Sequence, residues 1–307
     1  MHAFDYLRAS GLKQASDWLQ QHPEARPLSG GMTLVPSLKH RLTQVSHVVD
    51  LSRLQELRGT VVESGALRIG AGMRHAEVAA DPQVRQASAG LAQLAAGIGD
   101  PQVRARGTLG GSVANNDPAA DYPAAVLGLG ATVKTDRRSI AADDFFDGLF
   151  TTALQEGEII TAVEFPVPER AGYMKFPHPA SRFCLVAVMV SKGPKGVRVA
   201  VTGAGQQGVF RASDFEAEQE AGHARLLRAN RLDGAPWERR FHPRLLYGQR
   251  NSSLSQRGDL QPDSSRRYPS ESPDHGHRRS HGRIDSQRTD NGDDRGRPRR
   301  SSGGSNR

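Results

Sequence analysis

One cysteine, Cys184, is present in 307 residues. The chain therefore has no disulfide framework and cannot by itself build a thiolate metal or iron–sulfur site. A reducing compartment fits that usage. No segment approaches 18 uninterrupted apolar residues, which excludes a membrane span. The N-terminus, Met1-His2-Ala3-Phe4-Asp5-Tyr6-Leu7, lacks the basic flank and apolar run of a signal peptide. The folded part is thus expected to be cytoplasmic.

Lysine and valine are also absent from one long stretch. Residues 222–307 contain 19 arginines but no lysine, valine, methionine or cysteine, whereas the preceding residues use lysine six times and valine freely. The overall +8 charge resides entirely there. Residues 1–221 carry 22 basic against 23 acidic groups, and residues 222–307 carry 19 against 10. A segment so poor in apolar residues cannot offset its ordering entropy, so disorder is expected from about residue 250. One reading is a basic arm for nucleic acid or anionic surfaces. The other is a reading-frame shift near residues 217–222 of a GC-rich gene. The lysine and valine deficit favours the frameshift, as do the scattered aromatics Phe241, Tyr247 and Tyr268. In that segment His275, His277 and His281 read as composition, not a metal cluster.

Before residue 222 the pattern is that of a folded protein. Residues 12–22 read as an amphipathic helix, with Leu12, Ala15, Trp18 and Leu19 at helical spacing and Pro23 beyond its end. A short helix at 34–42 and a buried strand at 45–51 complete a β-α-β beginning. Hairpin strands follow at 59–63 and 66–69 around Ser64-Gly65. Helices are expected at 74–80, 87–98 and 122–129, a second hairpin at 131–134 and 139–141, and a strand at 158–165. These give an α+β domain closing near residue 168. Strand-like segments at 173–176, 185–190 and 197–202 announce an antiparallel sheet. Its covering helices do not follow in the sequence, so an exposed apolar face is expected. His75 reads as a surface residue or a cap, His178 as loop punctuation and Cys184 as a small core residue.

Two glycine pairs, in Leu28-Ser29-Gly30-Gly31-Met32-Thr33-Leu34 and Thr108-Leu109-Gly110-Gly111-Ser112, combine bare backbone with small hydroxyls. That chemistry suits N–H groups brought against pyrophosphate oxygens. A lone Gly-Gly usually marks only a tight turn. The first loop is no Rossmann fingerprint, since Gly-x-Gly-x-x-Gly and the later acidic residue are missing, and no Gly-Lys-Ser/Thr ending is present. The second loop runs on to Asp117-Pro118-Ala119-Ala120-Asp121. Asp117 reads as an N-cap before Pro118, while Asp121 lies beyond the capping position and can accept from a ribose hydroxyl or an adenine edge.

Taken in order, these motifs resemble the flavin-binding medium subunits of molybdenum hydroxylases, the carbon monoxide dehydrogenase and xanthine dehydrogenase families. The resemblance rests on Ser29 to Pro36, Thr108 to Ser112 with Asp117 to Asp121, Phe4-Asp5-Tyr6, Ile160 to Pro166, Tyr173-Met174-Lys175-Phe176 and Pro179-Ala180-Ser181-Arg182. It covers residues 1 to about 215. It implies an FAD-binding domain of the PCMH type over 1–168, with subdomains of about 1–55 and 56–168. The start of a C-terminal domain at 172–221 and an atypical tail at 222–307 complete the chain. It implies FAD held by Ser29, Gly30, Gly31, Met32, Thr33 and Leu34 from the first loop and by Thr108, Gly110, Gly111 and Ser112 from the second. Asp121 matches the position that reaches the adenosine half, and Ile160 and Lys175 match positions on the flavin side. A lysine there would stabilise an anionic reduced ring, although a solvated strand-edge lysine is an equally good reading of Lys175.

The resemblance further implies an oxidoreductase subunit without a substrate-converting centre of its own. Its partners would be a molybdopterin-binding large subunit and a 2Fe–2S small subunit, with electrons passing through FAD to an external acceptor. Two other functions stay open: a stand-alone flavin oxidoreductase, and a nucleic-acid-binding protein working through its basic tail.

Overall fold

A computed structural model describes residues 1–220. The chain opens with β1 (Asp5–Arg8), α1 (Leu12–Gln21), β2 (Arg26–Leu28), α2 (Leu34–Lys39) and β3 (His47–Asp50). β1 and β2 both run parallel to β3, in the order β1-β3-β2. Successive strand residues face opposite sides, so Val49 packs with Ala15 and Leu19 of α1 while Val48 packs with Leu38 of α2. The two helices thus bury both faces of this small sheet.

Next come the hairpin β4 (Thr60–Glu63) and β5 (Ala66–Gly70), then α3 (His75–Ala80), α4 (Pro82–Ala87), α5 (Ala89–Ala96), α6 (Pro101–Arg106), α7 (Leu109–Asn115) and α8 (Tyr122–Gly128). Strands β6 (Thr132–Thr135), β7 (Ser139–Ala141) and β8 (Ile160–Pro166) finish an antiparallel sheet of order β4-β5-β8-β6-β7. The single helix expected at 87–98 is preceded by a separate one. Asp81 caps α4 ahead of Pro82, and the Ser88 hydroxyl accepts from the Leu91 N–H to start α5. Asp100 and Pro101 start α6 in the same way.

The last sheet contains β9 (Arg170–Pro177), β10 (Cys184–Gly193), β11 (Gly196–Thr202) and β12 (Phe210–Arg211) in the order β12-β11-β10-β9, followed by α9 (Ser213–Glu220). It is not bare, contrary to the expectation from sequence. One face, with Tyr173, Ala187, Met189 and Ala200, shares the largest core cluster with α5 and α8. Gly128 lets α8 approach closely, since a Cβ there would lie 2.8 Å from Met189 Cγ. On the other face Val190, Val197 and Val199 pack beneath Phe215 of α9. The cover of the first face comes from α5 and α8, earlier in the chain, which no local pattern announces. Among the described residues no helix is long and apolar enough to cross a membrane. The tail at 222–307, with its expected disorder and its two readings, lies outside the described residues.

Candidate functional site

The two glycine turns meet. Leu28 ends β2, and the first turn then lies directly on the chain at 106–108. A Cβ on Gly30 would overlap the Arg106 carbonyl and come within 2.8 Å of Gly107 Cα. The Ser29 and Thr108 hydroxyls lie 3.0 Å apart and share a hydrogen bond. Gly31 has φ +73°, a left-handed conformation that favours glycine. The backbone then turns into α2 with the N–H groups of Gly30, Gly31, Met32, Thr33 and Leu34 finding no acceptor among the described residues. The first amide that does is Val35, which donates to the Gly31 carbonyl at 3.2 Å. Five consecutive donors left free on one turn suit an anionic ligand.

The second turn is built differently. It is the first turn of α7, with Thr108 as N-cap. The Leu109 N–H donates to Met73 O, Gly110 to Ala71 O, Ser112 to Thr108 O and Gly111 to Thr108 Oγ1. Its amides are therefore committed within the protein. A Cβ on Gly110 would lie 2.6 Å from Ala71 Cβ, so this glycine serves close packing. The Thr108 hydroxyl is itself engaged, by the Ser29 hydroxyl and the Gly111 N–H.

Asp117 does not cap a helix. Its carboxylate accepts the Ala119 N–H at 2.8 Å, closing a tight turn, and α8 begins only at Tyr122. Asp121 occupies the N-cap place of α8, but its side chain turns away into the protein. It is 5% exposed, accepts the Tyr173 hydroxyl at 2.5 Å and pairs with Lys175 Nζ at 2.9 Å. Lys175 also donates to the Gly97 carbonyl at 3.1 Å. Burial pushes the Asp121 carboxyl above the usual carboxylate range, opposed by Lys175 and Tyr173. Burial and then Asp121 push the Tyr173 hydroxyl upward. Cys184, buried nearby on β10, is raised to about 12 by burial and then Asp121.

This triad corrects one expectation and bears on another. Asp121 and Lys175, matched to the adenosine half and the flavin side, are in direct contact. Lys175 is no solvated edge lysine. Ile160, expected on the flavin side, is 6% exposed and packs in the main core. Tyr173 was missed, although it and Lys175 stand two apart on one strand and hence on one face.

His75 departs furthest from expectation. It is 4% exposed, its N–H donates to the Gly107 carbonyl at 2.9 Å, and its ring contacts Tyr122 at a centroid distance of 5.3 Å. Burial, then Arg104, lowers it to about 4. Its Nδ1 and the Tyr122 hydroxyl are both buried without a partner among the described residues. His178 is punctuation as expected: its Nδ1 accepts the Ala180 and Ser181 N–H groups.

The donor set of the first turn fits the pyrophosphate of a dinucleotide: free amides, a left-handed glycine and a hydroxyl-bearing neighbour in tight contact. A family model described as "FAD binding domain in molybdopterin dehydrogenase" matches residues 2–168. The chain belongs to this family. FAD is thus its cofactor. Over 199 residues it is 35% identical to the glyceraldehyde dehydrogenase medium chain of Sulfolobus acidocaldarius, covering 63% of this chain and 71% of that one. It is 38% identical over 178 residues to the carbon monoxide dehydrogenase medium chain of Afipia carboxidovorans, covering 54% and 59%. The matched part is therefore under two thirds of the latter relative. Among solved structures, carbon monoxide dehydrogenase from Hydrogenophaga pseudoflava aligns with TM-score 0.67 and 30% identity, over 70% of this chain and 79% of that one. The chain is an FAD-binding subunit of the molybdenum hydroxylase type.

Proposed function

We propose that this chain is the electron-transfer subunit of a molybdenum-containing hydroxylase or dehydrogenase. It would take electrons from a 2Fe–2S small subunit and release them to an external acceptor. Substrate would meet a molybdopterin-binding large subunit. The observation that carries the reading is the row of five free amides from Gly30 to Leu34, pinned on the second glycine turn. When bound, FAD supplies the one- and two-electron chemistry that no side chain can. The chain's own residues bind and orient it. The first-turn amides, with Ser29 and Thr33, would hold the diphosphate charge, while Thr108 and Ser112 would serve from the second turn. Gly110 and Gly111 would act by the close packing that sets the second turn in place.

Lys175, fixed by Asp121 and the Gly97 carbonyl, is a largely buried cation. A fixed cation of this kind favours added negative charge nearby. We assign residues 1–168 to the cofactor domain and read 172–221 as the start of the following domain. The test is assembly. The chain is produced with its two partner subunits, and flavin reduction by the organic substrate is followed in a stopped-flow instrument. Bleaching of the flavin that requires the 2Fe–2S subunit is expected. Equal substrate turnover by this chain alone would replace the reading with a stand-alone flavin oxidoreductase.

A further inference from the structure

Three layers without intervening space separate the first glycine turn from the core. The first is Gly30, whose missing side chain makes room for the Arg106–Gly107 peptide. Gly107 is the second. A Cβ there would lie 2.5 Å from His75 Nε2 and 2.8 Å from His75 Cδ2. The backbone at Gly107 has φ −57° and ψ 141°, which any residue adopts. Glycine is therefore demanded at 107 by the imidazole behind it, not by the backbone. That imidazole is the third layer: the His75 backbone N–H donates to the Gly107 carbonyl, and the ring packs at a tilt against Tyr122.

We infer that His75 is a positioning residue for the cofactor: its ring is the spacer that presses the Arg106–Gly107 peptide against Gly30 and so holds the first turn's free amides in place. The inference rests on the cofactor reading above. A neutral ring suits the role, because burial and then Arg104 on the neighbouring helix both oppose a charge on it. Removing the ring leaves a gap under Gly107 into which the peptide relaxes, and Gly30 loses its support. Adding a methyl group at Gly107 pushes the same peptide the other way. Each change alone misplaces the clasp, and the two together compensate.

The full chain is titrated with FAD, following the quenching of flavin fluorescence, well below the melting temperature of each FAD-free variant. His75→Ala and Gly107→Ala are each expected to weaken binding about tenfold or more, a factor worth ~1.4 kcal/mol. The double variant is expected to bind within about threefold of wild type, since residues in contact couple. His75→Gln, with similar bulk and no charge, is expected to bind almost as wild type and serves where the alanine variant does not fold. A merely structural role would lower the melting temperature of His75→Ala and leave its FAD affinity unchanged, which overturns the inference. A double variant no better than the weaker single variant also overturns it. Wild-type chain that takes up no FAD overturns the cofactor reading itself, together with this inference.

Discussion

Replacing Lys175 by methionine tests the buried triad most directly. In the wild type the ammonium is 2.9 Å from Asp121, and the two side chains are 10% and 5% exposed. Breaking a buried pair by removing one partner costs about 3–5 kcal/mol, because the other charge is left uncompensated. At about 2–4 °C per kcal/mol for a domain of this size, the midpoint should fall by roughly 6–20 °C at pH 8. The loss must depend on pH, and its sign can be worked out. A carboxyl whose folded pKa lies above its unfolded value binds extra protons when folded, so stability falls as pH rises through that window. Burial already raises Asp121, and Lys175 opposes the shift. Without the lysine the shift grows and the window widens upward. Where acid protonates Asp121 in the variant, the remaining deficit is about 1 kcal/mol from the Gly97 carbonyl that has lost its donor. Urea unfolding of the FAD-free chain at pH 4 and pH 8 reads this difference. Asp121→Asn combined with Lys175→Met removes both charges and should recover most of the loss at pH 8. An equal deficit at both pH values, or no recovery in the double variant, would refute the argument.

Other perturbations have separate signatures. Gly31→Ala forces a side chain into φ +73°, which should cost about 1–2 kcal/mol in urea unfolding and reduce FAD binding, since the five amides turn with it. Ser29→Ala removes the 3.0 Å link to Thr108 and should cost about 1 kcal/mol, read by the same unfolding assay. Burial raises the Glu158 carboxyl, but Arg138, the Gln155 N–H and the Thr135 hydroxyl outweigh it and hold the pKa at about 2. A depressed acid stabilises above its unfolded value and loses that contribution as pH falls toward the folded one. Glu158→Gln should therefore cost on the order of 2 kcal/mol at pH 7, after allowing for solvent screening at the half-exposed Arg138, and flatten the acid limb of the stability profile. The His75 imidazole should remain neutral down to about pH 4, visible as a ring-proton NMR shift that does not move between pH 8 and 5.

Elements whose cause is local were legible in the sequence. The periodicity of α1, the Ser64-Gly65 hairpin and the strand alternation of β10 and β11 each lie within one short window, and the structure has them within a few residues of their expected places. The helix expected at 87–98 is present as α5, whereas α4 before it was not foreseen although Asp81-Pro82 is a start signal. The site was legible as chemistry but not as geometry. Both glycine pairs look alike as strings, yet one exposes its amides and the other spends them on Met73, Ala71 and Thr108. The difference arises because β5 leads the chain at 71–73 alongside the second turn, a contact across more than 30 residues.

His75 was misread for the same reason. Its sequence neighbours, Arg74 and Ala76, are exposed, while its burial comes from Gly107 and Tyr122. Asp121 lies about 50 residues from Tyr173 and Lys175 and meets them only because the last sheet packs on α8. That packing links two features that the sequence presents separately. The same α8 that covers the sheet starts at the carboxylate that fixes Lys175, and its first residue, Tyr122, backs the ring beneath the glycine clasp. Loss of the sheet would therefore be felt at the cofactor site as well as in stability. A chain cut after Pro168 should lose the partners of Asp121 and expose the face of α8 that the last sheet covers, lowering the urea midpoint of residues 1–168 relative to the full chain.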